Sequence, residues 1–125
     1  MEIPKELLYT EEHEWVLIED DIATIGITDY AQGELGDIVF VELPAVDDAV
    51  TQMEPFGTIE AVKAVSDLFS PVSGTVVEVN ELLQDQPELI NQSPYDQGWM
   101  IKVKLSAPAE LDGLLSPEDY KKHIS

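Results

Sequence analysis

The chain has 125 residues, of which 26 are acids and six are lysines, and it contains no arginine and no cysteine. Its formal net charge of −20 would repel nucleic-acid phosphates and anionic membranes, so we expect it to bind neither. A basic protein partner would be attracted, although the charge also fits a role in solubility alone. The lack of cysteine excludes disulfides, thiolate catalysis and cysteine-ligated zinc.

The length suits one domain over residues 1–125, and a hydrophobic content of 44 % is enough for a packed core. No apolar stretch approaches the roughly 20 residues that a membrane-spanning helix needs. The first residues show neither the apolar segment of a signal peptide nor the Arg-rich pattern of a transit peptide. We therefore expect a cytoplasmic protein, or a protein of an organelle matrix if the chain is a processed form.

Two strands and a helix are predicted first along the chain. EWVLI at 14–18 and IATIGI at 22–27 are rich in β-forming residues and flank an acidic turn. Thr28 is the expected N-cap of a helix of about two turns, and Gly36 is the expected C′ residue that ends it.

The next strand, DIVFVELP, is expected to end at Pro44. Regular alternation would divide its side chains between two faces, with Ile38, Phe40 and Glu42 on one and Val39, Val41 and Leu43 on the other. The segment 45–57 that follows is predicted to be a loop with at most a short strand.

Two strand-like segments, 57–62 and 74–79, each open with Gly-Thr. The remaining predicted elements are helical pieces at 81–84 and 87–90, a strand at 99–105, helical turns at 108–115, and a last helix for which Ser116 is the N-cap. Many short strands with short helices at the edges favour a small, mainly β barrel or sandwich.

No catalytic constellation is visible in the sequence. His13 and His123, the two histidines, are far apart and not at metal-ligand spacing, so we expect structural or surface roles for both. The serines lack a nucleophile elbow, and no glycine-rich phosphate loop is present. Carboxylates are too numerous for any pair of them to indicate acid–base catalysis.

Lys63 is the only lysine or arginine between Lys5 and Lys102. If the strand before it paired with the strand after it, segment 57–62 with segment 74–79, the lysine would stand at or beside a hairpin tip and project into solvent.

Two interpretations of this lysine remain open from the residues alone. One is a solubilising charge paired with Glu60 or Asp67, although an exposed ion pair contributes only roughly 0–1 kcal/mol. The other is an attachment point for a prosthetic group, which suits a long flexible side chain on a rigid tip.

The stretch EAVKAVSDLFSPVSGTVVEVN resembles the modification hairpin of lipoyl and biotinyl carrier domains, with Glu60, Lys63, Asp67 and Gly74 in matching positions. HEWV, ATIGITDYAQGELGDIVFVELP and PELINQSPYDQGWMIKVK are together similar to the H proteins of the glycine cleavage system. This resemblance runs in register over residues 9–120, which is nearly the whole chain.

The resemblance implies a lipoyl/biotinyl-type barrel-sandwich hybrid with short peripheral helices, including a C-terminal helix. It also implies that Lys63 carries lipoic acid in amide linkage on its side-chain nitrogen. Such a protein is a non-catalytic, monomeric carrier that moves the aminomethyl group of glycine from glycine decarboxylase (P protein) to the aminomethyltransferase (T protein). Dihydrolipoyl dehydrogenase (L protein) then reoxidises the carrier.

Four further site residues follow from the same resemblance. Glu60 and Gly74 are expected to help the lipoyl-attaching enzyme recognise the hairpin, Glu60 through its charge and Gly74 through close backbone approach or an unusual φ. Glu14 and Asp67 are expected to contribute to a shallow surface site for the loaded arm, which should be cationic.

The sequence departs from the family pattern at three positions. Ala61 replaces the usual serine of the lysine motif and gives EAVK, which leans toward biotinyl domains. Asp47 and Met53 stand where glycines are usual, and Met tolerates positive φ poorly, so the loop could be shaped differently.

Four alternative functions follow. They are a biotinyl carrier, a lipoyl carrier of another pathway, an unmodified H-like interaction protein and, remotely, an autonomous hydrolase.

Overall fold

The structure is a computed structural model that describes residues 2–125. Within that range the strands are β1 (Leu8–Tyr9), β2 (Glu14–Glu19), β3 (Ile22–Ile27), β4 (Ile38–Glu42), β5 (Ala49–Val50), β6 (Pro55–Ala61), β7 (Val65–Phe69), β8 (Gly74–Val79) and β9 (Ile101–Leu105). The helices are α1 (Asp29–Leu35), α2 (Leu82–Asp85), α3 (Leu89–Gln92) and α4 (Pro117–Ile124), together with a 3₁₀-helix at Pro108–Gly113.

The strands form two antiparallel sheets, so the prediction of a mainly β fold with short helices is confirmed. One sheet has six strands in the order β1-β2-β3-β9-β8-β5, and the other has three in the order β4-β6-β7. The main hydrophobic core draws on both sheets and includes Val16 of β2, Ile59 of β6 and Val103 of β9. No helix within residues 2–125 combines the length and apolar character needed to cross a bilayer.

The predicted hairpin of β2 and β3 is confirmed. Glu19 pairs with Ile22, which leaves Asp20 and Asp21 as a two-residue turn. Asp20 adopts a φ of 58°, a left-handed conformation that Asp tolerates better than most residues.

Both predicted caps of α1 are confirmed. The backbone N–H of Ala31 donates to Oγ1 of Thr28 at 3.2 Å, which satisfies one of the free donors at the helix start. Gly36 follows the helix with a φ of 81°, a conformation that glycine adopts without steric cost. These two residues therefore fix the length and exit direction of α1.

The predicted division of side chains along β4 is wrong because the strand contains a β-bulge. Ile38 pairs with Ala61 and Phe40 pairs with Glu60, so Val39 is an extra residue without a partner. The bulge changes the alternation: Ile38 and Val41 are buried, whereas Phe40 is exposed.

The predicted pairing of segment 57–62 with segment 74–79 is also wrong. β6 pairs with β7, directly beyond Lys63, whereas β8 pairs with β9 and β5 in the other sheet. β7 was missed because Val65, Ser66 and Asp67 are all exposed, so its residues lack the apolar alternation of a half-buried strand.

The remaining elements differ only slightly from the predictions. α2 and α3 begin one and two residues later than expected, the helical turns after β9 are 3₁₀, and the short strand β1 was not foreseen. The prediction of Ser116 as N-cap of α4 is confirmed, since its side chain accepts from the N–H of Asp119. Tyr120 of α4 stacks on Tyr9 with ring centroids 4.6 Å apart, which fastens the C-terminal helix to β1.

The loop between β4 and β6 keeps two left-handed residues. Asp47 has a φ of 80° and Met53 a φ of 65°, so both departures from glycine adopt the conformation that glycine favours. The left-handed backbone conformation costs an L-amino acid roughly 1–2 kcal/mol, so the surrounding hydrogen bonds must hold Met53 in place. The N–H of Met53 donates to the carbonyl oxygen of Ser70 at 2.7 Å.

Candidate functional site

Lys63 lies at the tip of the hairpin formed by β6 and β7. The N–H of Ala61 donates to the carbonyl oxygen of Ala64 at 2.8 Å, so Val62 and Lys63 form the short connecting loop. The N–H of Val62 also donates to the carbonyl oxygen of Asp37 at 3.0 Å. This bond fastens the tip to the turn that follows α1, so the exposed lysine projects from a rigid support.

The side chain of Lys63 lies beside the end of α1 without an ionic partner. A Cβ built on Gly36 would lie 3.7 Å from both Cδ and Cε of Lys63. The ion pair found within residues 2–125 joins Lys102 and Glu78 at 3.7 Å. Lys63 is therefore not paired with Glu60 or Asp67, and the interpretation of a charge-paired surface lysine is not supported.

Glu60 is exposed on β6, three positions before the lysine. It pairs across the sheet with Phe40 on one side and Val65 on the other. Both neighbours are partly exposed apolar side chains, Phe40 at 46 % and Val65 at 69 %. Glu60 therefore presents a negative charge between two apolar contacts near the tip, where an enzyme that handles Lys63 could reach it.

Gly74 lies in the six-stranded sheet, whereas the hairpin that carries Lys63 belongs to the three-stranded sheet. It starts β8 and pairs with Leu105 on β9 and Val50 on β5. A Cβ at this position would overlap the backbone carbonyl oxygen of Lys104. The expected close backbone approach is confirmed, and its cause is the packing of two strands away from the hairpin.

Glu14 and Asp67, which are far apart in sequence, line the same cavity. It has a volume of about 280 Å³ and lies between the start of β2, helix α1 and the β6–β7 hairpin. Leu35 lines this cavity, and the next residue, Gly36, lies close to the side chain of Lys63, so the end of α1 connects the cavity to the lysine.

Glu14 is more deeply buried than a shallow surface site implies, since only 2 % of the residue is exposed. The Thr10 hydroxyl donates to Oε1 of Glu14 at 2.6 Å, and the N–H of Phe69 approaches Oε2 at 3.4 Å. Burial outweighs these bonds and raises the pKa of the Glu14 carboxyl to about 8. Asp67, in contrast, is exposed, so the cavity has one acid in its interior and one at its rim.

Sequence reasoning missed further residues of this cavity. Glu12 and Glu34 also line it, which brings the number of acids there to four. Ser66 faces it as well, opposite the buried Ile59 on β6. With 26 acids in the chain, no sequence signal distinguished these two glutamates from the rest.

His13 forms part of the cavity wall and is held by the C-terminal helix. Its Nδ1 lies 2.9 Å from the hydroxyl of Tyr120, which also bonds Oγ1 of Thr28 at 2.8 Å. Burial, and then the charge of His123, lower the pKa of His13. His123, far away in sequence, has its ring centroid 5.5 Å from that of His13.

These contacts give His13 the expected structural role. Residues 2–125 contain no group of three or more potential metal ligands.

The arrangement fits a covalently attached arm better than it fits catalysis. An exposed, unpaired amine stands at a fixed hairpin tip, which suits amide formation with a carboxylic acid. The acidic cavity beside it could receive a cationic group at the end of such an arm.

Comparisons with known proteins support this view. The family model described as glycine cleavage H-protein matches residues 7–125. The glycine cleavage system H protein of Staphylococcus carnosus (strain TM300) is 59 % identical over 124 residues, which cover 99 % of this chain and 98 % of that protein. The protein of the same name from Geobacillus kaustophilus (strain HTA426) is 61 % identical over 125 residues, covering 100 % and 98 %.

A solved structure is similar over nearly its full length. The crystal structure of a glycine cleavage system H protein from Mycobacterium marinum superposes with a TM-score of 0.90 at 38 % sequence identity. The superposition covers 97 % of this chain and 98 % of that chain. The fold that the resemblance implied is therefore confirmed.

Proposed function

The chain belongs to the glycine cleavage H-protein family, and on this basis we propose that it is the lipoyl-bearing carrier of the glycine cleavage system, with lipoic acid attached to Nζ of Lys63. The observation that carries the proposal is the position of Lys63, exposed at a hairpin tip that a backbone hydrogen bond fastens to the end of α1. Full-length relatives named as H proteins support the pathway. A biotinyl carrier or a carrier of another pathway is not favoured by them.

The protein's contribution is to hold and present the attachment point. Bound lipoic acid would supply a disulfide able to accept the aminomethyl group of glycine and later to be reoxidised from the dithiol. Since the β6–β7 hairpin fixes Lys63, the arm's reactive end stays within reach of a docked active site, which raises its effective concentration there.

We further propose that the protein has no catalytic activity of its own and acts as a monomer. Its partners would be the P, T and L proteins and a lipoyl-attaching enzyme. Glu60 and Gly74 would help that enzyme to recognise the hairpin. Bacterial relatives support a cytoplasmic location.

Glu14 and Asp67 would hold the cationic end of the loaded arm in the acidic cavity. Because burial holds the Glu14 pKa at about 8, this carboxyl is largely protonated near neutral pH while the cavity is empty. A cation entering the cavity favours the carboxylate, so Glu14 would release a proton as the cation binds. The cavity walls would also keep bulk water from the loaded arm.

Intact-mass measurement of the protein purified from its own cells, with fragmentation across Lys63, tests the attachment. Wild-type protein should carry one lipoyl adduct on this residue, and Lys63→Arg should fold normally but carry none. Lys104→Arg, at an exposed lysine of β9, is the matched control and should be lipoylated like wild type. An adduct on another lysine in Lys63→Arg, or a biotinyl mass on Lys63, would contradict the proposal.

A further inference from the structure

A groove of about 610 Å³ lies at the end of β8, apart from the acidic cavity. Its apolar part is formed by three aliphatic side chains that are unusually exposed: Val46 at 51 %, Val77 at 42 % and Leu82 at 54 %. Trp99 also lines the groove. None of these residues borders the acidic cavity. The acidic cavity therefore does not explain why these apolar side chains face solvent.

A β-bulge places Val77 in the groove. Val76 pairs with Val103 and Glu78 pairs with Lys102, so Val77 is an extra residue opposite no partner. A bulge redirects side chains, and this one turns a valine outward next to an acid. The exposure of Val77 is thus fixed by the backbone of the sheet.

Val46 and Leu82 are also held in place by their neighbours. The N–H of Asp47 donates to the carbonyl oxygen of Val76, and the N–H of Val76 donates to Asp48, both at 2.8 Å, which anchors the loop after Val46 to β8. Leu82 begins α2, whose next residue, Leu83, is buried in the core. The apolar part of the groove is therefore built on ordered backbone.

The charged residues that line the groove are all acidic. Glu78, Glu81 and Asp85 line it, and none of the described lining residues is basic. The nearest lysine, Lys102, is already engaged, with its Nζ 3.7 Å from Glu78 and 5.2 Å from the centre of the Trp99 ring. An occupant of this groove must therefore bring positive charge to match the acids and apolar side chains to cover the valines and leucine.

A second copy of this chain does not meet these requirements. A twofold contact through the groove would place its three acids near the same acids of the other copy, in a chain with a formal net charge of −20. A basic partner meets both requirements.

We propose that this groove is the docking surface for an enzyme that acts on the lipoyl arm, through a segment of that enzyme in which aliphatic side chains are flanked by lysine or arginine. The proposal rests on the proposed function. The start of β4 lies near the hairpin tip, because Ile38 pairs with Ala61. The other end of β4 lies farther from the tip, because Glu42 pairs with Thr58, and Val46 follows that end. Docking there leaves the arm free to enter an active site.

The test is isothermal titration calorimetry of the lipoylated protein with purified glycine decarboxylase, aminomethyltransferase and dihydrolipoyl dehydrogenase in turn. For an enzyme that binds, Val77→Ser combined with Leu82→Ser should raise Kd about tenfold, as expected for loss of central apolar contacts. Met53→Ser, at a side chain of similar exposure on another surface, should leave Kd unchanged.

A second pair of variants tests the charges without touching the apolar contacts. Glu81→Gln with Asp85→Asn should weaken binding several-fold at low salt, and the difference should shrink at high salt because surface charges are screened. Asp112→Asn with Glu118→Gln, two exposed acids elsewhere, is the control and should have a smaller effect.

Three results would overturn the proposal. They are unchanged Kd values in both groove variants, no binding of wild type to any of the three enzymes, and a concentration-dependent dimer in sedimentation that Val77→Ser abolishes. Lys63→Arg should still bind in the groove, because Lys63 does not line it. A missing adduct on Lys63 would therefore refute the attachment while leaving the docking measurement interpretable.

Discussion

The hydroxyl of Thr10 donates a 2.6 Å hydrogen bond to Oε1 of Glu14, and the backbone N–H of Glu14 donates back to the same hydroxyl oxygen at 3.1 Å. Both residues are buried. This reciprocal pair fixes the Glu14 carboxyl at the start of β2. Its second oxygen, Oε2, is approached by the N–H of Phe69 at 3.4 Å. A carboxyl held in this way should make the protein's stability depend on pH.

We predict that Glu14→Gln makes the protein more stable than wild type at alkaline pH. The pKa of Glu14 is about 8 in the folded protein and 4.5 without its surroundings, so the folded state binds more protons between these values. Its contribution to the unfolding free energy therefore falls as pH rises through this window, by an amount on the order of a few kcal/mol.

Denaturant unfolding of both proteins from pH 5 to about pH 9 would measure this difference. Glu19→Gln, an exposed acid on the same strand, is the control and should follow the wild-type curve. Parallel curves for wild type and Glu14→Gln would show that burial does not hold this carboxyl protonated.

The double variant Glu14→Gln, Asp67→Asn should lose protection of the loaded arm. Removing both acids leaves a cavity with less attraction for a cation, so the loaded protein should release ammonia faster than wild type. Added salt should reduce the advantage of wild type because it screens the exposed Asp67. Equal rates of release at low salt would show that these residues do not protect the arm. The pair Glu19→Gln, Asp112→Asn removes two exposed carboxyl groups elsewhere and serves as control.

Glu60→Gln should slow lipoylation and leave the melting temperature almost unchanged. Its side chain is exposed and takes part in none of the ion pairs found in residues 2–125, so neutralising it removes a recognition charge without loss of packing. The measurement is the rate of adduct formation with the purified attaching enzyme. Glu54→Gln, an exposed acid just before β6, should be modified at the wild-type rate. If Glu60→Gln is lipoylated as fast as wild type, the attaching enzyme does not use Glu60 to recognise the hairpin.

Gly74→Ala should lower stability by about 1–3 kcal/mol, the usual range for overpacking. Its new methyl group would meet the backbone of Lys104, which cannot move without disturbing β9. Gly33→Ala is the matched control: apart from its chain neighbours and its own helix backbone, no heavy atom of residues 2–125 lies within 4 Å of the added Cβ. Alanine in helix α1 should be stabilising. If Gly74 has a separate role in recognition, Gly74→Ala should also be lipoylated more slowly at temperatures where it is fully folded, and an unchanged rate would refute that role.

Features that depend on neighbouring residues could be predicted from the sequence. The caps of α1 at Thr28 and Gly36, the β2–β3 hairpin and the N-cap at Ser116 each follow from side chains a few positions apart, and all are present in the structure. The isolation of Lys63 among acids, together with the motif around it, also identified the attachment residue proposed here.

Contacts between distant segments could not be predicted from the sequence and became visible in the folded chain. The pairing of β6 with β7, the bulges at Val39 and Val77 and the contact between His13 and His123 arise because strands and helices must satisfy backbone bonds and bury a common core. Glu14 is the clearest case. The three residues before it, Glu11, Glu12 and His13, are polar, as at a surface. Packing of α1 and the β6–β7 hairpin over β2 nevertheless removes Glu14 from water and thereby raises its pKa. Burial of this kind depends on residues more than fifty positions away, so no local pattern in the sequence could reveal it.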